Sequence, residues 1–195
     1  SGRGNNFVYV HKQADQQIAL DVIINAKTTK ISACNALDKV LIDRNLPNKE
    51  AFIKTLISKL KEFKIEILGD EVISKFEDVA GIKSDDIWYE EFLDYKIAMA
   101  EIDSNEAAIT FINKYSGGHS ASIITTNNEV AKVFMENVDT AAVYHNASTR
   151  FTDGGQLGLG GELAISTDKL HQRGPIGLEH LVTNKWYVHG NGQIR

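Results

Sequence analysis

The 195-residue chain has one cysteine and no hydrophobic run that approaches the roughly 20 residues a bilayer-spanning helix needs. A single cysteine excludes an intramolecular disulfide and fits a reducing compartment. The first residues, S-G-R-G-N-N, lack the pattern of a signal peptide. We therefore expect a cytoplasmic protein that makes no contact with a membrane.

Basic residues are outnumbered by acidic ones. The chain has 21 Lys and Arg against 26 Asp and Glu, which gives a formal net charge of -5 and a pI near 5.7. A general nucleic-acid-binding surface needs a basic face to displace counterions, so no nucleic-acid partner is expected. An anionic small molecule would have to be held by a few local cations.

Several catalytic and cofactor-binding motifs are missing. The glycines at 158–161 do not form a dinucleotide fingerprint, because the third glycine is misplaced and no strand leads directly into them. No glycine-rich loop ends in Lys-Ser or Lys-Thr, and no serine occupies a G-x-S-x-G turn. The six histidines include no i, i+4 pair, so no metal is expected, and His119 is interpreted as structural rather than as a general base.

Chemistry is expected first at Cys34, which lies in a polar, small-residue stretch between two apolar segments. A thiolate attacks carbonyl carbons and forms a thioester, so a cysteine suits acyl-transfer or aldehyde chemistry. The pKa of a free thiol is about 8.5, so ionisation at neutral pH needs a helix amino terminus or a nearby cation. We expect a helix to begin at 35–40 and Lys27 and Lys30 to lie close by. The alternative is a small buried hydrophobic residue.

Apolar periodicity predicts strands that alternate with helices as far as residue 146. Such alternation is typical of right-handed crossovers in a mostly parallel sheet covered on both faces, an α/β fold of three layers, α/β/α. Capping patterns predict that Asp103 with Glu106 and Thr126 with Glu129 begin two of the helices. The predicted strands are 7–10, 39–42, 65–68, 97–102, 122–125 and 141–146, and the predicted helices are 14–27, 48–63, 103–115 and 126–137, with a short helix at 70–76 and an irregular loop at 77–91.

The pattern changes at residue 147, which predicts two parts: a catalytic α/β domain over 1–146 and a glycine-rich segment over 147–195. Glycine density at 154–161 indicates either backbone that closely approaches a ligand or another chain segment, or a mobile surface loop. A late strand is predicted at 183–188. Because that strand arrives after the sheet is built, it is expected to pair with another subunit in a homodimer or higher homo-oligomer.

Six motifs together resemble one family, gamma-glutamyl phosphate reductase, which belongs to the aldehyde dehydrogenase superfamily. The resemblance runs over essentially the whole chain, in the family's order. The motifs are N-A-K-T at 25–28, C-N-A-L at 34–37, G-H-S at 118–120, N-A-S-T-R-F-T-D-G-G at 146–155, G-P-I-G-L-E at 174–179 and G-N-G-Q-I-R at 190–195.

The resemblance implies an enzyme that reduces L-glutamate 5-phosphate to L-glutamate 5-semialdehyde with NADPH, a step of proline biosynthesis. Cys34 matches the family's nucleophile. Glu91 and Phe92 lie where the superfamily holds the nicotinamide ribose and ring, although the usual F-G-P after the glutamate is replaced by Phe92-Leu93-Asp94. The chain resembles the catalytic, carboxyl-terminal part of the family, and the domain that mainly binds NADPH is expected to be largely absent.

Substrate contacts are expected from Arg150, whose guanidinium can grip a phosphate or carboxylate with two parallel bonds. A structural salt bridge is the alternative role for Arg150. Lys27 and Gly155 lie in matching motifs and are expected to bind the acyl phosphate substrate. Two other functions remain open at this point: an aldehyde-oxidising dehydrogenase fragment, and a non-enzymatic α/β assembly module.

Overall fold

The computed structural model describes residues 3–195, so Ser1 and Gly2 of the predicted domain 1–146 lie outside the described residues. A seven-stranded sheet, in the order β4-β3-β5-β2-β1-β6-β7, organises the chain. All its strand pairs are parallel, as the sequence predicts. The strands are β1 (Asn6–Val10), β2 (Leu37–Asp43), β3 (Glu66–Gly69), β4 (Ala80–Gly81), β5 (Lys96–Ile102), β6 (Ser120–Ile124) and β7 (Ala142–His145).

Helices cover both faces of the sheet. Helices α1 (Gln16–Thr28) and α2 (Lys49–Glu62) pack on one face, where Ile23 and Leu56 are fully buried. Helices α3 (Asn105–Tyr115) and α4 (Asn128–Asn137) pack on the other, with Phe134 fully buried. Central strands thus carry apolar side chains on both sides, which is why they are near-continuous apolar runs. The predicted three-layer α/β/α architecture is confirmed.

Two helix starts differ by one residue from the prediction. Ser104, not Asp103, caps α3, because its Oγ accepts a hydrogen bond from a first-turn backbone N–H at 3.2 Å. Asn127, not Thr126, caps α4, because its Oδ1 accepts from two backbone N–H groups at 3.1 Å. The Thr126 hydroxyl instead donates to the main-chain carbonyl of Gln13, in the loop between β1 and α1, at 2.8 Å.

The segment between β3 and β5 is more ordered than the sequence predicts. In place of the helix at 70–76, a single 3-10 turn spans Ile73–Lys75. The predicted loop at 77–91 contains β4, which is the outermost strand of the sheet and pairs with β3, and a 3-10 turn over Asp85–Tyr89. A two-residue strand carries too few residues for its alternation to stand out in the sequence.

Beyond residue 147 the chain forms a 3-10 turn over Thr149–Phe151, then a small antiparallel hairpin of β8 (Ala164–Ser166) and β9 (Gly174–Ile176). Sequence reasoning missed this hairpin. The predicted strand at 183–188 is wrong for this structure: the residues are irregular and exposed, with Trp186 87% accessible. Their β-forming side chains have no neighbouring strand within residues 3–195, and β propensity needs one.

No helix among residues 3–195 is both long and apolar enough to cross a membrane. The parallel arrangement matters more for function, because it brings the amino ends of the central strands together. Asn6 pairs with Leu37 at the start of β1 and β2, and Phe7 pairs with Ala121 one residue into β6. We call this side of the sheet, where those strands begin, the amino edge, and the opposite side the carboxyl edge.

Candidate active site

Cys34 lies at the amino edge, in two successive tight turns over residues 31–36 that we call the Cys34 turn. The turns are closed by main-chain hydrogen bonds from Ala33 to Lys30 at 3.2 Å and from Ala36 to Ala33 at 2.9 Å. Strand β2 begins directly afterwards, so the predicted helix at 35–40 is wrong. Pairing with β1 and β5 on either side draws these residues into the sheet.

A buried carboxamide fixes the path of the Cys34 turn. Asn6 Nδ2 donates to the main-chain oxygens of Gly4 at 2.8 Å, Cys34 at 2.8 Å and Ala36 at 2.7 Å. Gly4 itself approaches so closely that a Cβ built on it would lie 2.0 Å from the Cys34 carbonyl oxygen. Only glycine fits at this point, since real Cβ atoms essentially never come closer than 3.0 Å.

A second carboxamide, that of Asn35, joins the Cys34 turn to the 3-10 turn of Thr149–Phe151. Asn35 Nδ2 donates to the carbonyls of Thr152 at 2.8 Å and Arg150 at 3.2 Å, and the Thr149 hydroxyl donates to the Asn35 carbonyl at 2.8 Å. Arg150 Nη1 donates back to Asn35 Oδ1. The two motifs C-N-A-L and N-A-S-T-R-F-T-D-G-G are therefore one site in space, and the polar residues inside them are the signal that points to Asn35.

The Cys34 side chain is exposed, yet neighbouring atoms keep enough water from its sulfur for partial burial to raise its pKa. The carboxylates of Glu162 and Glu91 raise that pKa further, while the Cys34 backbone N–H and the Arg150 guanidinium lower it. Glu162 was missed in the sequence; its Oε2 accepts a hydrogen bond from the Gly154 N–H at 2.7 Å. At rest, Cys34 is thus a thiol faced by two carboxylates and one cation.

Arg150 is half-buried and has donors to spare. Asn35 occupies its Nη1, whereas its buried Nε has no hydrogen-bond partner among residues 3–195. No salt bridge of Arg150 is found in that range either. A guanidinium that is oriented by an amide and lacks a carboxylate partner is suited to an anion.

Lys27 and Gly155 lie in different surroundings from those the sequence suggests. Lys27 is fully buried, and its Nζ lies 3.2 Å from Asp38 Oδ1, so in this structure it contacts that carboxylate rather than any molecule in solvent. Burial lowers the pKa of Lys27 against the opposing effect of Asp38. Gly155 is exposed in the loop at 153–161, where its carbonyl accepts from the Gly158 N–H at 3.3 Å.

Glu91 and Phe92 are half-buried beside the Cys34 turn. A Cβ on Gly4 would lie 2.6 Å from Glu91 Oε1, and the same Cβ would touch the Cys34 carbonyl. Phe92 N–H donates to Asp38 Oδ2 at 2.9 Å, and the Phe92 ring lies under Lys39 Nζ, 3.5 Å from its centroid. The sequence pointed to Glu91 and Phe92, but not to the two charged residues of β2 that hold them.

His119 is neutral and belongs to a buried hydrogen-bond chain at the same edge. Its Nδ1 lies 2.7 Å from the Ser120 hydroxyl, which lies 2.7 Å from the Thr152 hydroxyl, and the Tyr144 hydroxyl joins Thr152 at 2.9 Å. Burial lowers the pKa of His119 to about 4. The chain reaches the Cys34 turn through the Thr152 carbonyl, which Asn35 binds.

No group of three or more His, Cys, Asp or Glu side chains between residues 3 and 195 is arranged to hold a metal ion. The thiol of Cys34, the guanidinium of Arg150 and the carboxylates of Glu91 and Glu162 are the charged or reactive groups gathered at the Cys34 turn.

Comparison with known proteins shows what this arrangement is related to. Over all 195 residues the chain is 48% identical to gamma-glutamyl phosphate reductase from Dictyoglomus thermophilum, of which it covers 46%. Its whole length also matches the crystal structure of gamma-glutamyl phosphate reductase from Thermotoga maritima, with a TM-score of 0.92, 42% identity and 46% of that chain covered. The chain is homologous to gamma-glutamyl phosphate reductases. The resemblance found in its motifs is confirmed.

More distant structures share only the fold with this gamma-glutamyl phosphate reductase homologue. An acetylating aldehyde dehydrogenase from Geobacillus thermoglucosidasius matches the whole chain and 52% of its own, with a TM-score of 0.73 at 17% identity. A glyceraldehyde-3-phosphate dehydrogenase from Methanocaldococcus jannaschii, solved with NADP, matches 76% of this chain and 40% of its own, with a TM-score of 0.57 at 17% identity. The aldehyde dehydrogenase-like fold is thus confirmed.

The chain spans about half the length of the gamma-glutamyl phosphate reductases it matches. It matches no protein-family model.

Proposed function

We propose that this chain carries the catalytic cysteine of a gamma-glutamyl phosphate reductase, which converts L-glutamate 5-phosphate and NADPH to L-glutamate 5-semialdehyde and phosphate in the cytoplasm. The observation that carries the proposal is the pairing of an exposed thiol with an arginine that has unused donors. An acyl phosphate offers both groups a partner: its carbonyl carbon to the thiolate and its phosphate to the guanidinium.

Cys34 performs the first step as the nucleophile. Its thiolate attacks the C5 carbonyl carbon, a C–S bond forms, and collapse of the tetrahedral adduct breaks the C–O bond to phosphate. Inorganic phosphate leaves and an acyl thioester remains on Cys34. Arg150 supports both anions in this step, because its positive charge lowers the pKa of Cys34 and its Nη2, which is not buried and has no hydrogen-bond partner among residues 3–195, can bind the departing phosphate.

The residues beside Cys34 fit the nicotinamide end of NADPH. Glu91 presents a half-buried carboxylate next to the Cys34 turn, which can accept hydrogen bonds from ribose hydroxyls, and Phe92 supplies an aromatic ring beside it. When bound between these residues, the nicotinamide would supply a hydride to the thioester carbon, and Cys34 would leave as a thiolate when the C–S bond breaks and the aldehyde forms. Residues 3–195 have no glycine-rich loop of the kind that binds a dinucleotide pyrophosphate. We therefore propose that the remainder of NADPH is bound by the part of the relatives that this chain does not cover.

The test separates the first step from the second. With freshly prepared L-glutamate 5-phosphate and no NADPH, the chain should release one phosphate per molecule, and the peptide containing Cys34 should gain the mass of the glutamyl group. Arg150→Met should lower the rate of the burst and also slow alkylation of Cys34 by iodoacetamide at pH 7. Cys34→Ser should give no burst. A wild-type chain that binds the substrate but releases no phosphate would contradict the proposal. Steady NADPH oxidation by the chain alone would contradict the proposal that most of the cofactor is bound outside this chain.

We also propose that the segment at 147–195 takes part in self-association, with a second copy of the chain as its partner. Its last residues expose a run of large apolar side chains that monomeric proteins rarely leave in water: Leu178 (77%), Val182 (70%), Trp186 (87%), Val188 (87%) and Ile194 (97%). Light scattering should give a dimer or larger assembly that Trp186→Ser with Val188→Ser converts to monomer. A monomer at high concentration before any substitution would refute it.

A further inference from the structure

Two charged residues at the start of β2 make side-chain hydrogen bonds to the main chain of the segment that contains Glu91. We propose that Asp38 and Lys39 are positioning residues that hold the main chain of Glu90–Phe92 against the Cys34 turn and so keep the Glu91 carboxylate beside the thiol. We call this pair the clamp. The inference concerns the thiol and its surroundings, and it holds or fails independently of the reductase activity.

The clamp grips the segment on both sides of Glu91. Lys39 Nζ donates to the Glu90 carbonyl at 2.7 Å, and Asp38 Oδ2 accepts from the Phe92 N–H at 2.9 Å. Lys39 Nζ also lies 3.5 Å from the centroid of the Phe92 ring, a close cation–π contact. Since both flanking peptide groups are bound, the side chain of Glu91 can leave the Cys34 turn only if these contacts break.

The burial of the clamp indicates a positioning role. Asp38, Lys39 and Lys27 are at most 2% exposed, and Lys27 uses the second oxygen of the same carboxylate at 3.2 Å. Buried ion pairs stabilise a fold little more than apolar residues of the same volume, because desolvation offsets their attraction. Here Asp38 and Lys39 fix the position of one surface segment, because each binds a specific peptide group of that segment.

The groups that face the clamp explain how it remains closed near neutral pH. Lys39 is buried among Asp38, Lys27, Glu90 and Lys96, and burial lowers its pKa to about 7. Charged or neutral, its Nζ keeps N–H groups with which to bind the Glu90 carbonyl. Asp38 also contacts Lys27 Nζ at 3.2 Å, so its carboxylate keeps a second hydrogen-bond partner when Lys39 loses its proton.

The position of Glu91 affects the pKa of Cys34, because a nearby negative charge opposes ionisation of the thiol. Glu91 is one of two carboxylates that raise the pKa of Cys34, the other being Glu162, while Arg150 lowers it. A loosened clamp lets Glu91 move away into water, and the thiol then ionises at lower pH. Alkylation of Cys34 therefore reports the position of Glu91, and the reading is unambiguous because the chain has only one cysteine.

The experiment measures the rate of iodoacetamide alkylation against pH for single and double variants, each with its unfolding transition recorded. Glu91→Gln should raise the rate at pH 7 by roughly threefold to tenfold, since the thiolate fraction grows tenfold for each unit by which the pKa falls. Lys39→Met should raise it by a similar factor. In the Glu91→Gln background, Lys39→Met should add nothing, because the charge it releases is already gone. Lys96→Met is the matched control, since Lys96 lies near the same ring but pairs with Glu66 at 3.7 Å, and its rate should equal that of the parent.

If Lys39→Met does not fold, Phe92→Leu takes its place, because it removes only the ring beneath the ammonium from a half-exposed segment. The clamp is refuted if the folded variant alkylates at the parental rate, if the effects of Lys39→Met (or Phe92→Leu) and Glu91→Gln simply add, or if Glu91→Gln itself changes nothing. Equal acceleration by Lys96→Met would also refute it, because the effect would then come from general loss of charge.

Discussion

The two edges of the sheet differ in how completely their polar side chains are partnered. At the carboxyl edge, ionisable groups satisfy one another: the Tyr9 hydroxyl donates to Asp43 at 3.0 Å, and Glu101 pairs with Arg44 and Lys49. At the amino edge, the buried Lys27–Asp38 pair lies near the carboxamides of Asn6 and Asn35, which bind main-chain carbonyls.

The amino edge therefore has a rigid backbone and incompletely satisfied side chains. Asn5 Oδ1, Asn6 Oδ1, His119 Nε2 and Arg150 Nε are all buried there without a hydrogen-bond partner among residues 3–195. Open parallel sheets usually bind their ligands beyond the carboxyl ends of the strands. Here the thiol and most of the unsatisfied groups share the other edge, whereas Asn105 Oδ1 is an unsatisfied group at the carboxyl edge. This contrast leads us to expect stability mainly from one edge and chemistry from the other.

The largest loss of stability is expected from Asn6→Ala at the amino edge. The substitution removes the two N–H groups that three main-chain carbonyls share, and each lost bond to a buried carbonyl costs about 1–3 kcal/mol, so the free energy of unfolding should fall by about 2–6 kcal/mol. At the carboxyl edge, Tyr9→Phe should cost only about 1 kcal/mol, because Asp43 keeps its hydrogen bond from the Asn45 N–H. Urea unfolding measures both, and equal losses would remove the distinction between the edges.

The next effect is a pH dependence that comes from His119. The pKa of His119 is lowered to about 4 in the folded chain and is about 6.5 in the unfolded chain. The unfolded chain therefore binds a proton more readily, so the folded chain keeps its full stability above pH 6.5 and loses part of it as the pH falls towards 4. The loss should approach about 3 kcal/mol, and His119→Gln should flatten that part of the curve. His11 is the carboxyl-edge control.

Burial lowers the pKa of His11 as well, but Asp43 and Glu106 oppose that effect, whereas burial acts alone on His119. His11→Gln should therefore change the pH profile less than His119→Gln. A larger change for His11→Gln would show that the carboxyl edge, rather than the amino edge, holds the unsatisfied groups.

The smallest effect is expected from Arg44→Ala at the carboxyl edge. Arg44 is about half exposed and reaches Asp103 at 3.0 Å and Glu101 at 3.7 Å. Pairs of this kind contribute up to about 1 kcal/mol and weaken as salt screens them. The difference between parent and variant should therefore shrink when the urea series is repeated in high salt. A loss that is large and independent of salt would mean that this ion cluster is structural in its own right.

The parallel sheet, its four helices and Cys34 were predictable because each depends on local pattern or residue type. Helix α2, for example, repeats Phe52, Leu56 and Leu60 at helical spacing, and all three are buried. The failures involve partners distant in sequence. Residues 37–40 are strand because β1 and β5 flank them, and 183–188 is irregular because no strand among residues 3–195 does.

The site was only partly predictable for the same reason. Cys34 and Arg150 are marked by their chemistry, whereas Asn6 and Asn35 bind carbonyls up to 117 positions away and have no periodic signal. Lys27 appeared to be an available cation, but the sequence does not show that Asp38 pairs with it inside the fold.

The carboxylates that face Cys34 also bear on how the protein survives oxidants. Peroxide attacks the thiolate rather than the thiol, and each oxidation beyond sulfenic acid is effectively irreversible. Partial burial, and after it the carboxylates of Glu162 and Glu91, raise the pKa of the only cysteine, so the resting chain exposes a sulfur that is mostly in its protonated, slowly oxidised form. A mostly protonated thiol reacts more slowly with oxidants, which protects a cysteine that has no second cysteine in the 195 residues with which to form a disulfide.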